Sequence, residues 1–131
     1  MAHIVVMGAN IGGLPAAYEN QDILKKDTPG DHQVTVVSNK ANFSFVPSNP
    51  WVAVGWRDRN SITFDIGSHL ERKGVNFIAK RCDKIDAENK KLVVAGGEVV
   101  DYDYLVIATG PRLAFDEIEG SVARIRLEHL G

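Results

Sequence analysis

The sequence predicts an α/β domain built on a parallel β-sheet, and three features of the chain lead to this class. Residues 4–7 and 34–37 are short apolar runs rich in β-branched side chains, which is typical of strands buried on both faces. Between them, residues 14–24 carry apolar side chains at helical spacing. The third feature is a further apolar run at residues 104–108. A strand, a helix and a second strand in this order form a βαβ unit with parallel strands.

Local signals define the helix and the segment after the second strand. Pro15 suits the first turn of the helix, where its missing N–H costs nothing, and the Thr-Pro-Gly-Asp segment at residues 28–31 ends the helix. Residues 38–60 show no regular pattern and contain two prolines and four aromatic residues. We predict a long apolar loop here, and such a loop is more often functional than not.

The second half of the chain predicts a third parallel strand and a small antiparallel meander. Residues 66–73 form a short helix that Gly74 ends, and residues 75–79 form the third strand. Three short strands follow, and Ala95-Gly96-Gly97 makes the hairpin turn between the last two. These strands span residues 81–85, 91–94 and 98–102. With the core strand at residues 104–108, the elements make a three-layer nucleotide-binding domain.

Length, charge and cysteine content restrict the classes of function. The 131 residues suffice for one compact domain, and the net charge of −2 offers no basic field to hold nucleic acid. The single cysteine, Cys82, excludes an internal disulfide, and the scattered histidines predict no metal site. No apolar run approaches the roughly 20 residues of a membrane-spanning helix. We therefore expect a soluble, cytoplasmic domain that binds neither nucleic acid nor metal.

A glycine-rich turn between the first strand and the helix predicts a phosphate-binding loop. Such a turn aims backbone N–H groups and the positive end of the helix dipole at one point. In the G-x-G-x-x-G fingerprint, Gly8 and Gly13 hold the outer positions, but Asn10 replaces the middle glycine. Gly12 adds further freedom. Because the Asn10 side chain takes up space beside the pyrophosphate, we expect weaker or displaced binding; the alternative is a tight turn that binds no ligand.

The end of the second strand gives another signal about the ligand. An acidic side chain usually binds the adenosine ribose at this point, but the chain has Ser38-Asn39-Lys40 instead. Ser38 and Asn39 can each form a hydrogen bond with a ribose hydroxyl, without the negative charge. On spacing alone, the site is compatible with FAD, with NAD and even with S-adenosylmethionine.

Several separate stretches resemble the sulfide:quinone oxidoreductase branch of the flavoproteins that carry two dinucleotide-binding domains. The most specific stretch is F-S-F-V-P-S-N-P-W at residues 43–51. The others are residues 1–6 with the glycine turn, P-A-A-Y-E at 15–19, V-G-W at 54–56, E-R-K-G at 71–74 and Y-D-Y-L-V-I-A-T-G-P at 102–111. The A-T-G ending is shared by the wider pyridine nucleotide-disulfide oxidoreductase superfamily and indicates FAD more than sulfide.

This resemblance covers residues 1–119 and implies a Rossmann-like three-layer ββα FAD/NAD(P)-binding domain with a parallel sheet and a small β-meander. Residues 120–131 are unlike the family and form an atypical tail.

The resemblance also implies which residues bind FAD. The glycine loop would face the pyrophosphate, the end of the second strand the adenosine ribose, and the backbone near Cys82 the adenine edge. Val46 and Pro47 would approach the flavin ring, and Thr109-Gly110 would pass the phosphates and the ribityl chain. The full predicted set is Gly8, Ala9, Asn10, Gly12, Gly13, Ser38, Asn39, Val46, Pro47, Cys82, Thr109 and Gly110.

In the family that the chain resembles, a cysteine pair takes up sulfide, and two electrons pass through FAD to a membrane quinone. Those cysteines, the second nucleotide-binding domain and the membrane-contacting helices lie beyond residue 119 in such proteins, which are peripheral to the membrane. Cys82 matches an ordinary small apolar position, so we predict no catalytic residue. We therefore expect an amino-terminal fragment that is inactive alone.

Two other interpretations stay open. The chain also suits an NADH:quinone reductase relative, which the A-T-G ending fits equally well. Alternatively, it is a module that kept the fold and lost its cofactor, which Asn10 makes credible. Trp51 and Trp56 predict an exposed apolar surface that favours self-association. We expect the purified chain to be folded but mostly colourless.

Overall fold

The computed structural model describes residues 1–27 and 30–111, together with positions 114, 117 and 119. The predicted tail at residues 120–131 lies outside the described part, as do Thr28 and Pro29. The described helices are α1 (Gly13–Asp27), α2 (Asn49–Ala53) and α3 (Ile66–Lys73), with 3-10 turns at Val46–Ser48 and Asn60–Ile62. The described strands are β1 (His3–Met7), β2 (Gln33–Val37), β3 (Asn42–Ser44), β4 (Thr63–Asp65), β5 (Asn76–Ile78), β6 (Cys82–Asp86), β7 (Lys91–Val94), β8 (Val99–Asp101) and β9 (Tyr104–Ile107).

A four-stranded parallel sheet forms the middle layer, as the sequence predicts. Its strand order is β5-β2-β1-β9, so β1 pairs with β2 on one side and with β9 on the other. Val5 of β1 lies opposite Thr35 and Leu105. Neighbouring residues of β1 and β2 are buried on opposite faces of the sheet, which is why these strands are continuous apolar runs in the sequence.

Each face of the sheet is covered by a different layer. On one face, α1 and α3 pack Ala17, Ile66 and Leu70 against the sheet. On the other face, β6, β7 and β8 form an antiparallel meander that packs Leu92 and Val94 against it. All five side chains are completely buried. Helices, parallel sheet and meander are the three layers of the predicted ββα arrangement, which is confirmed.

The segment at residues 38–60 is more regular than the sequence predicts. β3 pairs antiparallel with β4, and α2 lies between them. Phe43 lies opposite Phe64 in this pair, with ring centroids 4.9 Å apart. The prediction of one irregular loop was therefore wrong in part. A strand of three residues leaves no periodic signal, and its partner lies beyond the loop.

Arg57 holds the segment around α2 in place. Its Nη1 donates a hydrogen bond to Ser48 Oγ at 2.8 Å, and its guanidinium lies 4.9 Å over the Trp51 ring. Ser48 is almost completely buried. The N–H of Trp56 donates to Trp51 O at 2.8 Å and closes the segment. These contacts fix the turn that carries Val46.

Two carboxylates stabilise turns by accepting N–H groups. Asp65 caps α3 by accepting the Ser68 N–H at 2.7 Å, and this bond lowers the pKa of Asp65 below the ordinary value of 3.8. Asp86 accepts the side-chain amide of Asn89 at 2.9 Å and its backbone N–H at 3.0 Å, and these bonds lower the pKa of Asp86 in the same way.

We predict that the double variant Asp65→Asn with Asp86→Asn loses less free energy of unfolding on acidification than the wild-type chain does. As the pH falls below about 3.8, the unfolded chain binds these protons before the folded chain does. The stabilisation is therefore present above this pH and is lost as the pH falls through the lower folded-state pKa values. Asparagine keeps a capping oxygen without a titrating group. Urea unfolding at about pH 7 and about pH 3 measures the loss, and an equal loss in both proteins would contradict the prediction.

Candidate functional site

Close backbone contacts shape the loop between β1 and α1. Gly8 has a φ of +112°, and its N–H donates to Val37 O at 2.8 Å. A Cβ at Gly8 would lie 2.1 Å from Ala108 O, and a Cβ at Gly13 would lie 1.8 Å from Gly8 O. Only glycine fits at either position. The ends of β1, β2 and β9 and the start of α1 therefore meet here without intervening side chains.

Two grooves lie on either side of this loop, at the edge where the parallel strands end. The first groove, of about 290 Å³, lies between the loop, the end of β2 and the start of β6. The second groove, of about 580 Å³, lies between the loop, β3 and the segment after β9. Open α/β sheets bind their ligands in the crevice outside the carboxyl ends of the strands, so this is the expected place for a site.

The structure brings most of the predicted site residues to these grooves. Gly13 and Pro47 line neither groove: Gly13 lies beneath the loop against Gly8, and Pro47 lies in the turn at Val46–Ser48. From the predicted set, the first groove is lined by Gly8, Ala9, Asn10, Ser38, Asn39, Cys82 and Thr109. The second groove is lined by Ala9, Asn10, Gly12, Val46 and Gly110.

Three basic residues also line the first groove: Lys40, Lys80 and Arg81. Lys80 pairs with Glu98 at 2.6 Å, and Arg81 pairs with Asp83 at 2.8 Å, but both pairs are exposed and therefore weak. Within the described residues, no carboxylate lines either groove. The first groove thus has an excess of positive charge, which suits phosphate.

Sequence reasoning missed two groups of lining residues. Lys80 and Arg81 follow the third parallel strand, and this position at the carboxyl edge was the signal that could have found them. Asn42, Phe43 and Ser44 line the second groove and belong to β3. Phe43 and Ser44 lie in the stretch that carries the family resemblance, which indicated the family but not a groove; β3 itself left no periodic pattern that would have placed these residues in the site.

The side chain of Asn10 caps the amino terminus of α1. Its Oδ1 accepts the N–H groups of Gly12 and Gly13, each at 3.0 Å, and its Nδ2 donates to Ala108 O at 2.5 Å. Asn10 thus joins the glycine loop to the residue after β9, and it lines both grooves. The backbone fits a dinucleotide-binding loop, because glycine at Gly8 and Gly13 lets the loop pack directly against Ala108 O and Gly8 O at the start of the helix. The Asn10 carboxamide, in contrast, lies where the N–H groups of such a loop bind phosphate.

A glycine loop between a parallel strand and a helix, with a groove on each side, defines a dinucleotide-binding domain of the Rossmann-like class. Residues 2–129 match the pyridine nucleotide-disulphide oxidoreductase family, and the chain belongs to this family. Membership implies a flavin or nucleotide cofactor.

Two of the relatives that the chain resembles are quinone-linked enzymes. The chain is 32% identical over 130 residues to the sulfide-quinone reductase of Aquifex aeolicus, covering 97% of this chain and 29% of that protein. It is 30% identical over 109 residues to the external alternative NAD(P)H-ubiquinone oxidoreductase B3 of Arabidopsis thaliana, covering 74% of this chain and 19% of that protein. The crystal structure of the Aquifex sulfide:quinone oxidoreductase has a TM-score of 0.80 and 33% identity, over 88% of this chain and 26% of that one.

These comparisons confirm the resemblance to sulfide:quinone oxidoreductases. The chain spans less than a third of the length of each of these relatives. None of the described helices has the length and hydropathy that crossing a bilayer requires. Among the described His, Cys, Asp and Glu side chains, no group of three is arranged to hold a metal ion.

We predict that Gly13→Ala destabilises the protein, whereas Gly12→Ala leaves its stability nearly unchanged. A Cβ at Gly13 would lie 1.8 Å from Gly8 O, which forces the loop apart. A Cβ at Gly12 would meet only Asn10 Oδ1, at an ordinary 3.6 Å. Overpacking costs roughly 1–3 kcal/mol, and a tolerated change stays within about 0.5 kcal/mol. Urea unfolding followed by circular dichroism gives the free energy of unfolding of both variants. Equal free energies of unfolding in the two variants would contradict the prediction.

Proposed function

We propose that this chain is the FAD-binding part of a sulfide:quinone oxidoreductase-like enzyme, which oxidises sulfide and passes electrons through FAD to a quinone. The observation that carries the proposal is the glycine loop that separates two grooves. A dinucleotide consists of two halves joined by a pyrophosphate, so its shape suits this arrangement. Family membership and the identity to the Aquifex reductase support the oxidoreductase class.

The basic first groove suits the adenosine diphosphate half of FAD. Ser38 and Asn39 lie at the end of β2, where folds of this class bind the ribose hydroxyls. Cys82 lines the same groove at the start of β6, and the backbone there would meet the adenine edge. Lys40 lines both grooves. In this proposal Lys40 balances the charge of the pyrophosphate.

The larger second groove suits the flavin half. Phe43, Val46 and Gly110 contribute to its wall, and 60% of Val46 is exposed. Val46 and the adjacent Pro47 would approach the flavin ring, and Thr109 and Gly110 would lie along the ribityl chain. Bound FAD would supply two-electron transfer between a donor and an acceptor. The residues of this chain would bind the cofactor, orient it and exclude water from one side.

We further propose that these 131 residues alone do not oxidise sulfide. The sulfide chemistry implied by the resemblance needs a cysteine pair, and the chain has only Cys82. The chain also matches 29% of the Aquifex reductase. In this proposal, sulfide and quinone react only with a protein that has the full length of the relatives.

An NAD(P)H:quinone oxidoreductase is the second candidate, because the Arabidopsis relative, an NAD(P)H-ubiquinone oxidoreductase, is 30% identical to the chain over 109 residues. The fold does not separate the two candidates: the structure of NDH2 from Plasmodium falciparum in complex with NADH has a TM-score of 0.69 and 26% identity. The segment at residues 43–51 favours the sulfide:quinone branch. A domain that has lost its cofactor is the third candidate, and Asn10 favours it.

We predict that the chain binds FAD weakly, so that the desalted protein is folded but mostly colourless. ADP should displace FAD because it carries the half that suits the first groove, whereas FMN should compete much less. Lys40→Glu should weaken FAD binding roughly fivefold to tenfold, because it places a negative charge near the pyrophosphate. Flavin fluorescence, followed while protein is added, measures these affinities.

Lys26→Glu is the matched control for this titration, since it makes the same charge change in the last turn of α1, far from the loop. It should leave the FAD affinity unchanged. Absence of FAD binding, or an unaltered affinity in Lys40→Glu, would count against the proposed site. Tighter binding of NADH than of FAD would count against an FAD site under either of the first two candidates.

We also predict concentration-dependent self-association through an exposed apolar segment. Trp56 is 76% exposed and Val54 is 61% exposed, on the surface that follows α2. Apolar surface of this kind favours association. Sedimentation at low and high protein concentration should show a shift that Trp56→Ser with Val54→Ser reduces. Ile23→Ser, at an exposed position of α1, is the control, and a monomer at every concentration would refute the prediction.

A further inference from the structure

The N–H groups at the amino terminus of α1 already have hydrogen-bond acceptors, and these acceptors belong to the chain itself. The N–H groups of Gly12 and Gly13 both donate to Asn10 Oδ1 at 3.0 Å. The N–H of Leu14 donates to the backbone oxygen of the same residue, Asn10 O, at 3.0 Å. Each N–H has one hydrogen to donate. While these contacts hold, the three successive N–H groups are not available to a phosphate oxygen.

The amide nitrogen of Asn10 also has a hydrogen-bond partner. Asn10 Nδ2 donates to Ala108 O at 2.5 Å. A carboxamide has a donor at one end and an acceptor at the other, and Asn10 uses both. Glycine offers neither group. Aspartate would accept from the loop but would place a carboxylate oxygen against the carbonyl of Ala108. The pair of contacts therefore requires an amide side chain.

The carboxamide lies on the route between the two grooves. Asn10 lines the first groove and the second. The position of a Cβ on Gly110 is 3.3 Å from Asn10 Nδ2, and that of a Cβ on Gly12 is 3.6 Å from Oδ1. The side chain thus fills the space between the glycine loop and the segment after β9. A ligand with one half in each groove would have to cross this point.

We propose that Asn10 is an internal competitor for the pyrophosphate of a dinucleotide. The carboxamide holds the glycine loop against Ala108, and a dinucleotide binds only after the Asn10 side chain rotates and releases Gly12 and Gly13. The competition is intramolecular, so it lowers the affinity for any ligand whose phosphate uses these N–H groups. This inference rests on the proposed function, because FAD is the dinucleotide that has to displace the side chain.

Two substitutions separate the hydrogen bonds of Asn10 from the bulk of its Cβ. Asn10→Ala removes the hydrogen bonds and keeps the Cβ, whereas Asn10→Gly removes both. Asn10→Ala should tighten FAD binding roughly fivefold to tenfold, the equivalent of a lost helix cap, and Asn10→Gly at least as much. Fluorescence titration with FAD measures the affinity, and inorganic pyrophosphate serves as a second probe in competition. Asp65→Ala is the matched control: it removes the cap of α3 outside both grooves and should leave the FAD affinity unchanged.

Hydrogen exchange tests the same contact without any ligand. The amides of Gly12 and Gly13 should exchange faster in Asn10→Ala than in the wild-type chain, because they lose their acceptor. The amide of Ser68, which Asp65 caps, should keep its rate in this variant. Circular dichroism of each variant shows whether the native fold is retained before exchange is compared.

The outcomes distinguish a failure of this inference from a failure of the proposed function. Equal FAD affinity in the wild type and both variants would overturn the inference and leave FAD binding intact. Tightening in Asn10→Gly alone would also overturn it, since the Cβ would then be the obstacle. If none of the three proteins binds FAD, the proposed function fails. Unchanged exchange of Gly12 and Gly13 in Asn10→Ala would overturn the inference in every case.

Discussion

The contact between the backbones of Gly8, Gly13 and Ala108 is the constraint on which the rest of the structure depends. It brings the ends of β1 and β9 and the start of α1 so close together that no side chain fits between them. Because β2 joins the same point through the bond from the Gly8 N–H to Val37 O, three parallel strands end together there. The two grooves are the spaces left on either side of this junction. The fold and the candidate site therefore have one physical origin.

The sequence predicts those parts of the fold whose signals are local. β1 and β2 are continuous apolar runs because both of their faces are buried, and the glycine loop between them follows from its spacing. β3 could not be predicted, since its three residues pair with a strand beyond an irregular segment. For Asn10, the sequence reveals the substitution and its bulk. The bond to Ala108, 98 residues away, depends on a tertiary contact that no local pattern contains.

Asn10 changes the hydrogen bonding of the glycine loop in the absence of a ligand. With glycine at the middle position, the first N–H groups of the helix face solvent until a phosphate binds them. With asparagine, the chain satisfies these groups itself, and the loop gains a bond to the residue after β9. The same side chain that stabilises the domain without cofactor therefore opposes the cofactor. Such opposition between stability and binding is common where a site requires unsatisfied groups.

The pairing of β1 with β9 makes completion of the parallel sheet depend on a strand that is synthesised late. The N–H of His3 donates to Asp103 Oδ2 at 2.7 Å, so residues 100 positions apart meet at the start of these two strands. On the ribosome, β1, α1 and β2 emerge early as a βαβ unit, while the second edge of β1 stays unpaired until β9 has left the exit tunnel. An unpaired edge is a template for association with other chains. The nascent chain is thus most exposed to misassembly at a strand that lies inside the finished sheet.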